Sequence, residues 1–222
     1  MVLYHGSKVI VERPVYGQGK PENDYGRGFY CTEHLELAKE WACPKREDGF
    51  ANAYELPLEE MKVLDLNGPD MGVMQWLGVL MENRPVRLES PIQEEGMNWI
   101  RSHFRVETDG YDVIRGYRAD DSYFGFVRAF LENGITLGQL TAAMRFGNLG
   151  EQVMVKSERA FAALSFKGYE VASWSEYHLR RLTRDEEARR RFRAERERKA
   201  SEGLFMVDIL RGRMEAGDER LQ

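Results

Sequence analysis

The sequence predicts an α+β protein. Segments with the pattern of short apolar strands are interspersed with segments of helical periodicity. Many connections between them are shorter than the roughly dozen residues that a parallel crossover requires, so antiparallel pairing is expected. From about residue 176 the composition becomes strongly charged, with ten Arg or Lys against five Asp or Glu between residues 180 and 199. We therefore predict a folded domain over residues 1–172 and a charged helical extension over residues 173–222.

The chain begins directly as a strand. Residues 2–5 are mainly apolar or aromatic, and Gly6 with Ser7 is expected to end the strand. Residues 8–25 contain two prolines and two glycines, which is typical of a loop.

The rest of the chain is organised around residues 24–41. Gly26 and Gly28 form a turn in which the backbone can adopt positive φ or lie close against a ligand. Residues 29–31 then predict a buried strand, and Thr32 is expected to cap the helix that follows.

The remaining elements follow from apolar periodicity, turn residues and capping patterns. Further strands are predicted at 53–56, 62–66, 111–117, 152–156 and 169–173, and further helices at 72–83, 92–104, 123–133, 136–146 and after Ser157.

Composition excludes several classes of protein. A hydrophobic fraction of 42% and a charged fraction of 31% indicate a globular chain, and a net charge of −5 gives no general argument for nucleic-acid binding. No apolar run is long enough for a membrane span, and the start does not resemble a signal peptide. Cys31 and Cys43 make no disulfide framework, so we expect a cytoplasmic protein without membrane partners.

Three short pieces that lie far apart carry the most information: Tyr-His-Gly-Ser at 4–7, Gly-Arg-Gly-Phe-Tyr at 26–30, and the strand headed by Gln152. Together they resemble the ADP-ribosyltransferase superfamily, in particular its diphtheria-toxin-like and poly-ADP-ribose-polymerase-like branch. The pattern is most similar to an uncharacterised bacterial family of that fold, which also shares the Tyr-Asp-Val-Ile…Ala-Asp-Asp segment that runs from 111 to 121 here. The resemblance covers residues 2–172.

The resemblance implies a fold and an activity. The fold would have two short, mostly antiparallel sheets that form an NAD cleft, with helices packed outside. The activity would be mono-ADP-ribosylation with NAD as co-substrate, in which the nicotinamide–ribose bond is cleaved and ADP-ribose passes to a protein or nucleic-acid acceptor. A bacterial toxin, an effector or a phage-defence component would fit, with an antitoxin-like or regulatory protein as a partner.

The resemblance also implies roles for individual residues. His5 and Ser7 would hold the ribose hydroxyls of NAD, Gly6 would leave its backbone open to the ligand, and Tyr30 and Trp41 would sandwich the nicotinamide ring. The predicted NAD-binding set is His5, Gly6, Ser7, Gly28, Tyr30 and Trp41. The predicted catalytic set is His5, Tyr30 and Gln152, and no metal is expected.

Gln152 departs from the better-known branches, which have a catalytic glutamate at this position. A glutamine can hydrogen-bond a ribose hydroxyl, but it can neither carry negative charge nor take a proton. Three alternatives stay open: Gln152 suffices for a single transfer, Glu151 supplies the carboxylate after a small register change, or the site binds NAD without turnover. Because Gly150 replaces the acidic or amide residue typical of the arginine-specific branch, arginine modification is not indicated.

Other readings of these residues are structural. His5 alone is an ordinary strand histidine, Tyr30 and Trp41 are common core aromatics, and Gln152 is a buried amide. Asp120 and Asp121 match the bacterial pattern without a chemical role that we can assign, although Asp121 can cap the next helix.

Two other functions are therefore also consistent with the sequence. A non-catalytic NAD or nucleotide sensor, or an interaction module, would explain Gln152, whereas an NAD glycohydrolase would release ADP-ribose without an acceptor.

Overall fold

The computed structural model describes residues 1–119, 121–144, 151–197 and 203–221. Its elements in chain order are β1 Val2–Ser7, β2 Phe29–Cys31, α1 Leu35–Ala42, β3 Gly49–Glu55, a 3-10 turn Leu58–Glu60, β4 Val63–Asp65, α2 Val73–Asn83, α3 Pro91–His103, β5 Val113–Tyr117, α4 Asp121–Leu131, α5 Leu137–Met144, β6 Glu151–Val155, α6 Glu158–Ala163, β7 Ser165–Ala172, α7 Trp174–Glu197, α8 Met206–Gly212 and a 3-10 turn Glu219–Leu221. The predicted α+β class is confirmed.

The strands form two small sheets. One has the order β1-β3-β7, and the other has the order β2-β6-β5-β4. All pairs between the described strands are antiparallel except β4 with β5, so the prediction of mostly antiparallel sheets is also confirmed. Backbone hydrogen bonds at 2.8 and 2.9 Å join Tyr4 of β1 to Thr32, the residue that follows β2.

Two details of the predicted N-terminal region are wrong. Gly6 and Ser7 do not end the first strand, because both pair in register with β3. Thr32 does not cap α1 either, since the N-cap is His34, which makes no side-chain capping bond. The Thr32 hydroxyl instead accepts a hydrogen bond from the His34 amide at 3.2 Å, within the turn between strand and helix.

The chain divides into two compact units. The first comprises Met1–Leu66, Thr108–Arg118 and Leu149–Asp185 and contains all seven described strands. One buried apolar cluster of this unit is formed by Leu3, Cys31, Leu56, Val113, Val153, Val155 and Ala160.

The second unit is helical. It comprises Asn67–Glu107, Ala119–Asn148 and Glu186–Gln222. Its largest fully buried side chains include Trp76, Phe104, Phe126 and Phe130. The predicted capping box at the start of α5 is confirmed, because the Thr136 amide donates to the Gln139 side chain at 2.9 Å and the Gln139 amide donates to the Thr136 hydroxyl at 3.2 Å.

The predicted long charged helix is α7, whose first turns pack in the first unit. Arg180 pairs with Glu36 at 2.7 Å, and Arg184 pairs with Glu40 at 2.8 Å, so the helix lies along α1. The first unit continues beyond residue 173, where the sequence predicts the start of an extension, and that domain boundary stays a prediction. In the parts of the chain that the structure describes, no helix has the length and apolarity that a membrane crossing requires.

Candidate functional site

Three neighbouring strands bring the predicted catalytic residues into one region of the first unit. β1 carries His5 and lies beside β2 through the Tyr4–Thr32 bridge. β2 carries Tyr30, which pairs with Met154 of β6, and Gln152 lies two residues along β6 on the same face of the sheet. His5, Tyr30 and Gln152 therefore lie on three strands that are neighbours in space, β1, β2 and β6.

His5 is held in one protonation state by its surroundings. Its Nδ1 lies 2.7 Å from the carbonyl oxygen of Tyr30, and because a carbonyl only accepts, Nδ1 must carry the proton. Burial lowers the pKa of His5, although the Tyr30 carbonyl opposes this shift, so the ring is neutral at pH 7. The ring also packs on Phe29, with centroids 4.3 Å apart. The neutral ring therefore has Nε2 as a hydrogen-bond acceptor.

Asn52 fixes the end of β1, and the sequence reasoning missed it. It lies opposite His5 in the β1–β3 register and is fully buried. Its Nδ2 is 3.2 Å from both the His5 carbonyl oxygen and the Ser7 hydroxyl, and its Oδ1 accepts from the Val11 amide at 2.9 Å. The sequence signal that could have indicated Asn52 is its position as a polar residue between the apolar pairs Phe-Ala and Ala-Tyr of one strand.

Gly6 allows α1 to pack directly on β1. A Cβ at this position would overlap the carbonyl oxygen of Ala38, and it would lie 2.7 Å from the amide of Ala42 and 2.8 Å from the Cβ of Trp41. Packing thus explains the glycine, and its predicted contact with NAD stays a prediction. The same packing sets Trp41 beside β1.

Trp41 has a buried polar group that no described residue hydrogen-bonds. The indole Nε1 is buried and makes no hydrogen bond to any residue within the described ranges. One face of the ring is covered by the guanidinium of Arg118, whose Cζ is 4.7 Å from the ring centre. The predicted stacking of Trp41 on nicotinamide stays a prediction.

Tyr30 anchors the glycine-rich turn. Its hydroxyl donates to the Gly26 carbonyl at 2.6 Å and accepts from the Tyr25 amide at 3.0 Å. A Cβ on Gly28 would lie 2.7 Å from the Met154 sulfur, which shows how closely the entry to β2 lies against β6. The turn is therefore fixed to both strands.

Gln152 is buried and forms a pair with Asp24. The residue is only 4% exposed. Its Nε2 donates to Asp24 Oδ2 at 2.8 Å and to the Tyr117 carbonyl at 3.3 Å. Asp24 is itself only 7% exposed. Asp24 begins the segment of residues 24–41, and no role was predicted for it.

Glu151 lies on the other face of the sheet. Its carboxylate pairs with Arg115, which also lies 3.5 Å from a carboxylate oxygen of Glu33. Strand alternation places this ion-pair cluster on the face of the sheet opposite to Gln152. Asp120, Gly150 and the side chain of Asp121 lie outside the described residues.

Comparison with known proteins identifies a family. A family described as protein of unknown function, DUF3990, matches residues 1–166, a range that contains every predicted site residue. No curated protein and no solved structure matches the chain. The chain belongs to the DUF3990 family, because that match covers well over half of its length.

Proposed function

We propose that this protein is an NAD-dependent mono-ADP-ribosyltransferase. The observation that carries the proposal is the juxtaposition of His5, Tyr30 and Gln152 on β1, β2 and β6, since these residues are 25 and 122 positions apart in sequence. This is the set that the resemblance assigns to NAD. The bond between nicotinamide and C1′ of the ribose breaks, and its electron pair goes to the ring nitrogen. An acceptor oxygen or nitrogen then bonds to C1′ and releases its proton.

His5 would bind a ribose hydroxyl through its Nε2. This nitrogen has a lone pair because Nδ1 donates to the Tyr30 carbonyl, and burial favours the neutral ring. The Asn52 amide fixes the backbone of His5 and the Ser7 hydroxyl, so the hydroxyl-binding groups are held in place before NAD arrives.

Trp41 would provide the aromatic surface for the nicotinamide ring. Its backbone is fixed by the packing of α1 on Gly6, and its indole Nε1 makes no hydrogen bond to a described residue, so a ligand carbonyl that reached it would satisfy a buried donor. Tyr30, whose hydroxyl is bonded to the glycine-rich turn, would pack on the other side.

A sensor that binds NAD without cleaving it is the second candidate. The observation in its favour is that Gln152 is neutral and its Nε2 is engaged within the protein by Asp24 and the Tyr117 carbonyl. A neutral amide stabilises an oxocarbenium-like transition state less well than a carboxylate does.

Incubation with NAD labelled on the adenylate tests the proposal. We expect label to pass from NAD to protein or nucleic acid in the presence of the wild-type chain, and the loss of transfer in Gln152→Ala. Gln139→Ala is the matched control, because it removes a helix-capping amide in the second unit and is expected to cost about 1 kcal/mol of stability without loss of transfer.

The distribution of label separates the alternatives. Free ADP-ribose without a labelled macromolecule indicates a glycohydrolase. Intact NAD together with detectable binding indicates the sensor and contradicts the transferase.

A further inference from the structure

We infer that Asp24 and Gln152 act as one unit. Asp24 supplies the negative charge and Gln152 supplies the hydrogen-bond acceptor, two properties that a single catalytic glutamate would combine. The inference rests on the proposed function. It makes Asp24 a positioning residue that acts through Gln152.

The two acceptors around Nε2 fix the orientation of the Gln152 carboxamide. Nε2 faces a carboxylate oxygen of Asp24 at 2.8 Å and the Tyr117 carbonyl at 3.3 Å, and neither of these groups can donate when Asp24 is ionised. The amide therefore cannot rotate by half a turn without bringing its oxygen against two other oxygens. Oε1 is held at the opposite end of the group as an acceptor.

Asp24 also places a negative charge where the neutral glutamine lacks one. A carboxylate that accepts from an amide N–H polarises the amide and makes its oxygen a stronger acceptor. Both residues are buried, so water screens this interaction only weakly. The positive charge that develops on the ribose during cleavage of the nicotinamide bond would then be stabilised through Gln152.

The turn that carries Asp24 is anchored independently of Gln152. The Tyr25 amide donates to the Tyr30 hydroxyl at 3.0 Å, and the Tyr25 hydroxyl donates to the Tyr117 carbonyl. The Gly26 amide donates to the Asn23 carbonyl at 3.0 Å. Replacement of the Asp24 carboxylate by an isosteric amide should therefore leave the turn in place.

Asp24→Asn tests the charge. We expect kcat for NAD cleavage to fall by about 100-fold, with KM and the melting temperature nearly unchanged, because charge stabilisation is needed mainly in the transition state. Asp112→Asn is the matched control, since Asp112 is also 7% exposed but pairs with Arg159 at 2.6 Å at the other end of β5. This control should lower the melting temperature and leave kcat unchanged.

The exchanged pair Asp24→Asn with Gln152→Glu provides the decisive comparison. The double variant exchanges the positions of the carboxylate and the amide. We therefore expect its kcat to be at least about a tenth of the wild-type value, which is well above the kcat of Asp24→Asn. An unchanged kcat in Asp24→Asn would overturn the inference, and so would an exchanged pair that kept the wild-type melting temperature but did not raise kcat above that of Asp24→Asn. In both cases wild-type turnover would still support the transferase, whereas a wild-type chain without turnover would overturn the transferase and this inference together.

Discussion

His5→Ala is expected to reduce NAD turnover by at least about 1,000-fold while the protein remains folded. The substitution removes the Nε2 acceptor for a ribose hydroxyl, and NAD would then lose one of the bonds that orient its C1′ for attack. It leaves the β1 backbone in place, because Asn52 holds the His5 carbonyl and β3 pairs with the whole strand. Turnover and melting temperature should be measured on the same preparation.

The matched control for this variant is His103→Ala. His103 is also half-buried and also packs on an aromatic ring, since it stacks on Trp99 with centroids 3.7 Å apart in α3 of the second unit. We expect His103→Ala to retain turnover. Full activity in His5→Ala would remove the residue from the site and would contradict the transferase assignment.

Gly6→Ala is expected to destabilise the protein by about 3 kcal/mol, which is large for the addition of one methyl group. The new Cβ would overlap the Ala38 carbonyl, so α1 would have to move away from β1. Because α1 carries Trp41, we expect NAD affinity to fall as well. Denaturant unfolding gives the first quantity, and calorimetry gives the second.

Gly138→Ala is the control for this substitution. Gly138 is exposed in α5, and the nearest atom to an added Cβ is the Thr136 hydroxyl oxygen at 3.9 Å. An alanine there should be neutral or stabilise the chain by up to about 1 kcal/mol, because alanine favours the helix. An equal unfolding midpoint for Gly6→Ala and the wild type would contradict the packing that we describe for α1.

Elements that depend on local pattern could be predicted from the sequence. The strands β2 and β6 and the helices α2 and α3 follow from runs of apolar residues bounded by turn or capping residues, and their observed bounds agree with the predicted ones within one or two residues. The long helix α7 was recognisable from its charged composition.

Interactions between distant residues could not be predicted in this way. The hydrogen bond between Asp24 and Gln152 joins residues 128 positions apart, and it depends on how the glycine-rich turn lies over β6. The role of Asn52 depends on its register opposite His5, which local propensity does not specify. For Gly6 the local rule favoured a strand end, whereas tertiary packing against α1 decides the outcome.

Titration calorimetry of the wild-type chain with NAD tests the central claim most directly, because every proposed role requires NAD to bind in the first unit. The account predicts one NAD bound per chain, with an affinity that falls at least about tenfold in both His5→Ala and Trp41→Ala while His103→Ala binds as the wild type does. Absence of binding at millimolar NAD, or equal binding by all four proteins, would contradict it.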